Sequence, residues 1–371
     1  MNILLLSAYD ARSHQLWRAG LNENFAEFNW TTLALPARHY AWRARSNAMQ
    51  WYLQNHEVLD KPYDLLIATS MVDLASLRGL IPRLAGTPTV LYFHENQFAY
   101  PQGNSGHSTI ELQLCSIYGA LAADEIVFNS EYNQRTFIEG ARGLLAAMPD
   151  KLNEPAVQQL KTKSSVLPVP IGLRPHTRDE KANTARPVSI VWNHRWEFDK
   201  GPERLYAFCK VLLACELDFV LHVVGQQFRK QPAAFNELHA LLEDARPSAI
   251  GRWGFVSDAS EYYDLLRSCD VVLSTALHDF QGLAVLEAVS SGCVPLVPDR
   301  LAYPEWFSAQ FRYACSADDG TAALEKEAGN AVETLRGLIG NGLNSPSIDQ
   351  LGWNKLRRQY QKLIQRVGRQ C

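Results

Sequence analysis

The sequence predicts an α/β protein built from two doubly wound, Rossmann-like domains. Short apolar runs bounded by turn residues recur through the chain, separated by stretches of helical periodicity. The length, 371 residues, suits two domains with separate cores. The polar stretch 175–185, with His176, Arg178, Asp179, Glu180 and Lys181, divides the series. It marks a linker over 173–185 between domains at 1–172 and 186–371.

In the first half, strands are expected over 3–7, 30–35, 64–68, 89–93, 125–128 and 164–169. Helical periodicity lies between them, over 13–27, 46–54, 108–122 and 130–145. In the second half, strands are expected over 188–192, 219–224, 251–256, 270–274 and 294–297. Helices are expected over 202–213, 235–242, 259–266 and 324–339. The final stretch, 350–367, is amphipathic, with Trp353, Leu356, Tyr360 and Leu363 on one face.

Hydrophobic residues at 47% and charged residues at 20% describe an ordinary globular composition, and no run approaches membrane-spanning length. The start, Met1-Asn2-Ile3-Leu4-Leu5-Leu6-Ser7, has no basic region and reads as a strand rather than a signal peptide. Seven cysteines are scattered with no C-x-x-C pair, which suits free thiols in a reducing cytoplasm. The net charge of −3 excludes any global attraction to nucleic acid, so RNA contact must come from a local basic patch.

The stretch 274–305 is the centre of the functional reading. A buried strand is followed by the loop His278-Asp279-Phe280-Gln281, a helix opened by Gly282 and Leu283, and a second buried strand. Open parallel sheets bind ligands at the carboxyl ends of their strands, and a helix N-terminus there suits a phosphate. Asp279 stands before the helix and Glu287 within it, two carboxylates flanking that terminus. The alternative is an ordinary strand–helix–strand unit with two solvated acids.

Three further groups sit at expected strand ends. Arg195 and Lys200 lie in Trp192-Asn193-His194-Arg195-Trp196-Glu197-Phe198-Asp199-Lys200-Gly201, after the first strand of the second domain. They are either two surface cations or anion ligands. His94, with Glu95, Asn96 and Gln97, ends the fourth strand of the first domain, as a structural histidine or a site residue. In the first turn, Asp10, Ser13 and His14 either reach a substrate or cap a helix, with Ser13 as N-cap. The stretch 35–46 interleaves Arg38, Arg43 and Arg45 with His39, Tyr40 and Trp42 in an expected loop. Cations and aromatic faces together suit RNA, while a buried Trp with paired arginines is the structural alternative.

Asp279-Phe280-Gln281-Gly282-Leu283-Ala284-Val285-Leu286-Glu287-Ala288 resembles the Glu-x(7)-Glu motif of retaining GT-B glycosyltransferases, with Asp in the first position. Arg195 and Lys200 resemble that class's R-x(4)-K-G spacing. The turn Tyr9-Asp10-Ala11-Arg12-Ser13-His14 departs from the Gly-Gly found in many relatives. A closer resemblance runs through P-A-R-x-x-x-W-R-A-R-S, Y-F-H-E-N-Q-F-A-Y-P, V-F-N-S-x-Y-N, W-N-H-R-W-E-F-D-K-G-P-E, H-D-F-Q-G-L-A-V-L-E-A-V and Y-P-E. Together these resemble the glycosyltransferase-like domain-containing family, which includes the tRNA-queuosine alpha-mannosyltransferases.

The resemblance implies a GT-B fold, two Rossmann-like domains facing a central cleft, with the last helix crossing back to the first domain. It implies mannose transfer from the nucleotide sugar GDP-mannose to queuosine in the anticodon loop of tRNA-Asp, with no cofactor and no metal. His94 would contact the transferred sugar, and Arg195 and Lys200 the leaving diphosphate beside Gly282 and Leu283. Asp279 would bind the sugar and Glu287 the ribose. Asp10, Ser13, His14, Asn96 and the patch Arg38, His39, Trp42, Arg43 and Arg45 would serve the acceptor. Two other readings stand beside this one: the same fold with a lipid or glycan acceptor, and a non-catalytic tRNA- or nucleotide-binding protein. Arg18 is the basic residue within helix 13–27, which weighs against a membrane-active enzyme.

Overall fold

A computed structural model describes residues 1–99, 109–150, 152–174, 186–316, 318 and 320–368. Most of the expected linker (175–185), the start of the expected helix at Ser108, Tyr100-Pro101 of one family motif and Cys371 lie outside the described residues. The chain forms two compact units: Met1–Pro170 with the terminal segment from Trp353, and Ile171–Gly352.

The first unit holds a parallel sheet of β1 (Asn2–Asp10), β2 (Asn29–Pro36), β3 (Leu65–Thr69), β4 (Thr89–Phe93), β5 (Glu125–Phe128) and β6 (Ser164–Val166). Its order is β2-β1-β3-β4-β5-β6. β3 and β4 are buried along their whole length, as continuous apolar runs covered on both faces must be. Their register pairs Ala68 with Leu91 and Ile67 with Val90. Helix Trp353–Val367 belongs to this unit and buries Leu356, Tyr360, Leu363, Ile364 and Val367. Each such side chain contributes about 1.5–3 kcal/mol. Gly20 admits this helix, because a Cβ there would lie 2.6 Å from the Trp353 ring.

The second unit holds β7 (Val188–Trp192), β8 (Phe219–Val224), β9 (Ile250–Gly254), β10 (Val271–Leu273), β11 (Val294–Pro298) and β12 (Arg312–Tyr313). The order is β12-β11-β10-β7-β8-β9, all parallel. Strand order reverses between β7 and β10, so the loops after those strands diverge and leave a crevice at their carboxyl ends. Both functional motifs of this half are those two loops.

Local structure departs from expectation in several places. The stretch 40–45 is helical: helix Tyr40–Leu59 starts six residues before the expected 46. Ala44, Ala48 and Trp51 are buried at helical spacing there, and His39, with φ of 54°, turns the chain into the helix. β6 stops at Val166 because Pro168 and Pro170 follow. Ser13 is not the N-cap; helix Arg12–Asn24 starts one residue earlier, with Ala11 in that place. β12, two residues long, is too short for its periodicity to register, and helices Leu74–Leu80, Pro82–Ala85 and Asn153–Thr162 were not expected.

Candidate active site

In the second unit, the loops after β7 and β10 are cross-linked by hydrogen bonds. Trp192 Nε1 donates to Thr275 Oγ1 at 2.9 Å, and that hydroxyl donates to the Lys200 carbonyl at 2.8 Å. The Asp199 carbonyl accepts the N–H groups of Leu277 (2.9 Å) and His278 (3.1 Å). Gly201, at φ of 66°, permits this approach: a Cβ would lie 2.2 Å from the Thr275 carbonyl oxygen.

Lys200 is thereby brought to the loop that carries Asp279. Its Nζ donates to the His278 carbonyl at 2.6 Å and stands 3.1 Å from Asp199 Oδ2 and 3.9 Å from Asp279 Oδ2. Burial is the largest single effect and pushes both carboxyls up in pKa, but the Lys200 ammonium together with the other neighbours outweighs it and holds them below the usual carboxylate range. His278 also lowers Asp199, and His194 and the Gly282 N–H lower Asp279. Burial and the neighbouring Lys200 bring buried His194 down to about 4, so its imidazole is neutral at pH 7.

Asp279 also accepts the Gly282 N–H at 2.9 Å, closing the turn into helix Leu283–Ser290. Gly282 has φ of 76°, and a Cβ there would lie 2.7 Å from the Tyr303 ring. The Tyr303 hydroxyl lies 2.7 Å from Ser274 Oγ and 3.5 Å from Asp279 Oδ2. Glu287 is half-buried on that helix, with the Tyr262 hydroxyl 3.5 Å from its Oε2. Asn193 Nδ2 donates to the Tyr262 hydroxyl at 3.0 Å and to the Ala284 carbonyl at 2.7 Å. Arg195 pairs with Glu197 at 3.0 Å, with its side chain 46% exposed. The two expected cations thus do not form an uncompensated positive patch, since each has an acid beside it.

In the first unit, the strand ends hold a different arrangement. His94 follows β4 and is 7% exposed. Its ring stacks on His14 with centroids 4.0 Å apart, meets Trp17 edge-on at 4.8 Å and lies 4.7 Å from Tyr92. Among the described residues, neither ring nitrogen of His94 has a hydrogen-bond partner, and His14 Nδ1 has none. Burial lowers both rings, His94 well below the ordinary histidine value and His14 to about 4. Tyr360 of the last helix supports the wall: its hydroxyl accepts from Trp17 Nε1 at 3.0 Å and donates to the Pro168 carbonyl at 2.9 Å.

Several expected site residues of this unit are engaged elsewhere. Buried Asp10 is held by Arg18 at 2.8 Å. Ser13 lies in the first turn of its helix, half-buried. Asn96 is buried: its Nδ2 donates to Asn133 Oδ1 (2.8 Å) and Thr136 Oγ1 (2.9 Å), and its Oδ1 accepts from Phe98 N (2.8 Å). Asn96 therefore pins the loop after β4. The V-F-N-S-x-Y-N motif does the same, since Asn133 Nδ2 donates to the Phe93 carbonyl and Asn129 Nδ2 to the His94 carbonyl. In the basic stretch, Arg38, His39 and Trp42 are exposed, Trp42 at 61%. Arg45 is exposed but reaches Glu111 at 3.1 Å and Cys115 Sγ at 2.6 Å. Arg43 points inward, buried, toward Gln50.

Asp199, Tyr303, Asn193 and Tyr262 were not singled out from sequence. Asp199 had a signal, an acid directly before a candidate cation. Tyr303 had one in the recurring Y-P-E. Asn193 had one in the recurring W-N-H-R-W-E-F-D-K-G-P-E, and Tyr262 had none, since its partners Asn193 and Glu287 lie 69 and 25 residues away.

Residues 2–171 match the family model described as tRNA-queuosine alpha-mannosyltransferase N-terminal. A tRNA-queuosine alpha-mannosyltransferase of Drosophila melanogaster is 31% identical over 323 residues, 85% of this chain and 84% of that protein. Among solved structures, Anabaena HepE in complex with UDP superposes with a TM-score of 0.67 at 14% identity, covering 99% of this chain and 100% of that one. A sucrose-phosphate synthase from Thermosynechococcus elongatus gives 0.68 at 12%, covering 99% of each. At these identities the structural likenesses speak to the fold alone, and that fold is GT-B.

Proposed function

The chain belongs to the tRNA-queuosine alpha-mannosyltransferase family, and we propose that it transfers mannose from GDP-mannose to the cyclopentenediol of queuosine in the anticodon loop of tRNA-Asp, with retention. The family match supports the acceptor. The observation that carries the transferase reading is the meeting of Lys200, Asp279 and the start of helix Leu283–Ser290 at the strand-order reversal of the second sheet.

In this reading the nucleoside diphosphate lies against that helix N-terminus. Lys200 and Arg195 meet the charge that grows on the leaving oxygen as the sugar–oxygen bond breaks. Glu287, framed by Tyr262 and Asn193, accepts the ribose diol, and Asp279 takes a sugar hydroxyl. The acceptor hydroxyl attacks on the face the leaving group departs from, and a donor phosphate oxygen takes its proton. No metal or cofactor is assigned a step, and the site of action is the cytoplasm. Exposed Arg38, His39 and Trp42 serve the tRNA, whereas Arg43 supports their helix from within.

The test is sugar transfer from GDP-mannose to tRNA-Asp with and without queuosine, read by mass spectrometry of the nucleosides. Transfer to the queuosine form alone is expected. Equal transfer to both, or modification of a lipid or glycan with neither tRNA touched, overturns the reading.

A further inference from the structure

Asp199 has two separable roles in the second unit. Its backbone carbonyl locks the loop after β7 to the loop after β10 through the N–H groups of Leu277 and His278. Its side chain is 0% exposed and faces Lys200 Nζ at 3.1 Å and His278 Nδ1 at 3.8 Å. A buried carboxylate is costly unless a cation answers it, and a lysine is a flexible point charge unless something fixes it. Each answers the other here. The Lys200 ammonium is also fixed along its donor axis by the His278 carbonyl at 2.6 Å. It is therefore placed before any donor arrives, in a loop pair that Gly201 and Thr275 hold together.

We propose that Asp199 is a positioning residue for the transfer: its buried carboxylate holds Lys200 Nζ where charge develops, so that Lys200 acts on the transition state rather than as a loose counter-ion. This rests on the reading of Lys200 as the leaving-group cation. A preplaced cation needs no reorganisation as the bond breaks, whereas a mobile one follows the diphosphate in the ground state and lowers KM without raising kcat.

Asp199→Asn tests this because it keeps the backbone carbonyl and removes only the charge. The groups facing Lys200 are Asp199, Glu197, Arg195 and His194 from its own loop, and His278 and Asp279 from the loop after β10. Without the Asp199 charge, Asp279 at 3.9 Å is the carboxylate still paired with Lys200, so the ammonium is no longer held in place from its own loop. The expected result with GDP-mannose and queuosine-containing tRNA is a kcat lower by roughly ten- to a hundredfold, with a donor KM unchanged or lower. A purely structural role would lower activity in step with folded fraction and leave kcat per folded enzyme at the parent value. Amine labelling of Lys200 at one pH, followed by mass spectrometry, reads its release without turnover: labelling should be faster in Asp199→Asn, and Asp199→Glu should return it toward the parent. Parent kcat and parent labelling in Asp199→Asn, with Lys200→Ala inactive, overturn the inference and leave the reading of Lys200 standing. Full activity in Lys200→Ala overturns that reading itself.

Discussion

In the first unit, His14 and His94 stack with centroids 4.0 Å apart, neutral and buried, and neither nitrogen of His94 has a hydrogen-bond partner among the described residues. In the second, Lys200 sits between Asp199 at 3.1 Å and Asp279 at 3.9 Å, each carboxyl held ionised. The stack is held by shape and dispersion, which ignore charge. The ion cluster is held by mutual compensation, which fails when one member is removed. The first should tolerate loss of its polar atoms without unfolding, while the second should not.

Lys200→Ala gives the largest expected effect. Turnover falls by about two to three orders of magnitude if Lys200 meets the leaving group. Stability at neutral pH falls by about 3 kcal/mol, because Asp199 is stranded in the interior. Lys200→Met combined with Asp199→Asn should recover most of the stability and none of the turnover. Denaturant melts and initial rates check both, and a Lys200→Ala enzyme of parent stability would break the contrast.

The units share one response to acid, through a buried histidine in each, and differ in another, which belongs to the carboxylates of the second. His14 and His194 titrate near 4 in the folded chain and near 6.5 unfolded, so the unfolded chain binds more protons between those values. Stability is therefore full above about pH 6.5 and falls as pH drops toward 4, by up to about 3 kcal/mol for each histidine. Asp199 and Asp279 have lowered values, so their contribution is present above the ordinary carboxylate range, near pH 4, and is lost below it. Melts at closely spaced pH values should show His14→Phe flattening the loss between pH 6.5 and 4 and leaving the loss below pH 4 in place.

His94→Phe sharpens the comparison from the other side. Phenylalanine keeps the ring packing against His14 and Trp17 and removes two buried nitrogens that have no partner among the described residues. Turnover should fall about a hundredfold if those nitrogens serve a sugar hydroxyl, while the melting temperature stays level or rises. A clear drop in melting temperature would mean that the stack depends on polar contacts after all.

Asp279→Glu should have the smallest effect. The longer side chain gives up the bond to the Gly282 N–H, a cap-like contact worth about 1 kcal/mol. Turnover should stay within about tenfold of the parent, because Glu is the residue the related motif carries. Complete inactivity would show that the short side chain defines the sugar geometry.

The elements were legible where polar or turn residues bound an apolar run. β4, β5, β7 and β8 have the bounds their runs predict, flanked by Pro88 and His94, Asp124 and Asn129, Pro187 and Asn193, and Asp218 and Gly225. The site loops were legible because Asp279, Glu287, Arg195 and Lys200 keep a distinctive spacing directly after such runs. The stretch 40–45 was misjudged because mixed arginine and aromatic composition resembles a solvated loop, while Ala44, Ala48 and Trp51 carried a helical period that reaches the core.

What the sequence by itself determined is the run of strands, the loops that end them and the residue types those loops carry, all local properties of neighbouring side chains. Only the tertiary structure decided what each polar group does. Arg43 turned inward while Arg38 stayed out, Asn96 went to Asn133 and Thr136, and Asp199 took Lys200 and the loop 78 residues downstream. A buried donor or acceptor must find its partner wherever the packed sheet brings one within about 3 Å. That distance is set by strand order and register, which link residues that the sequence keeps far apart.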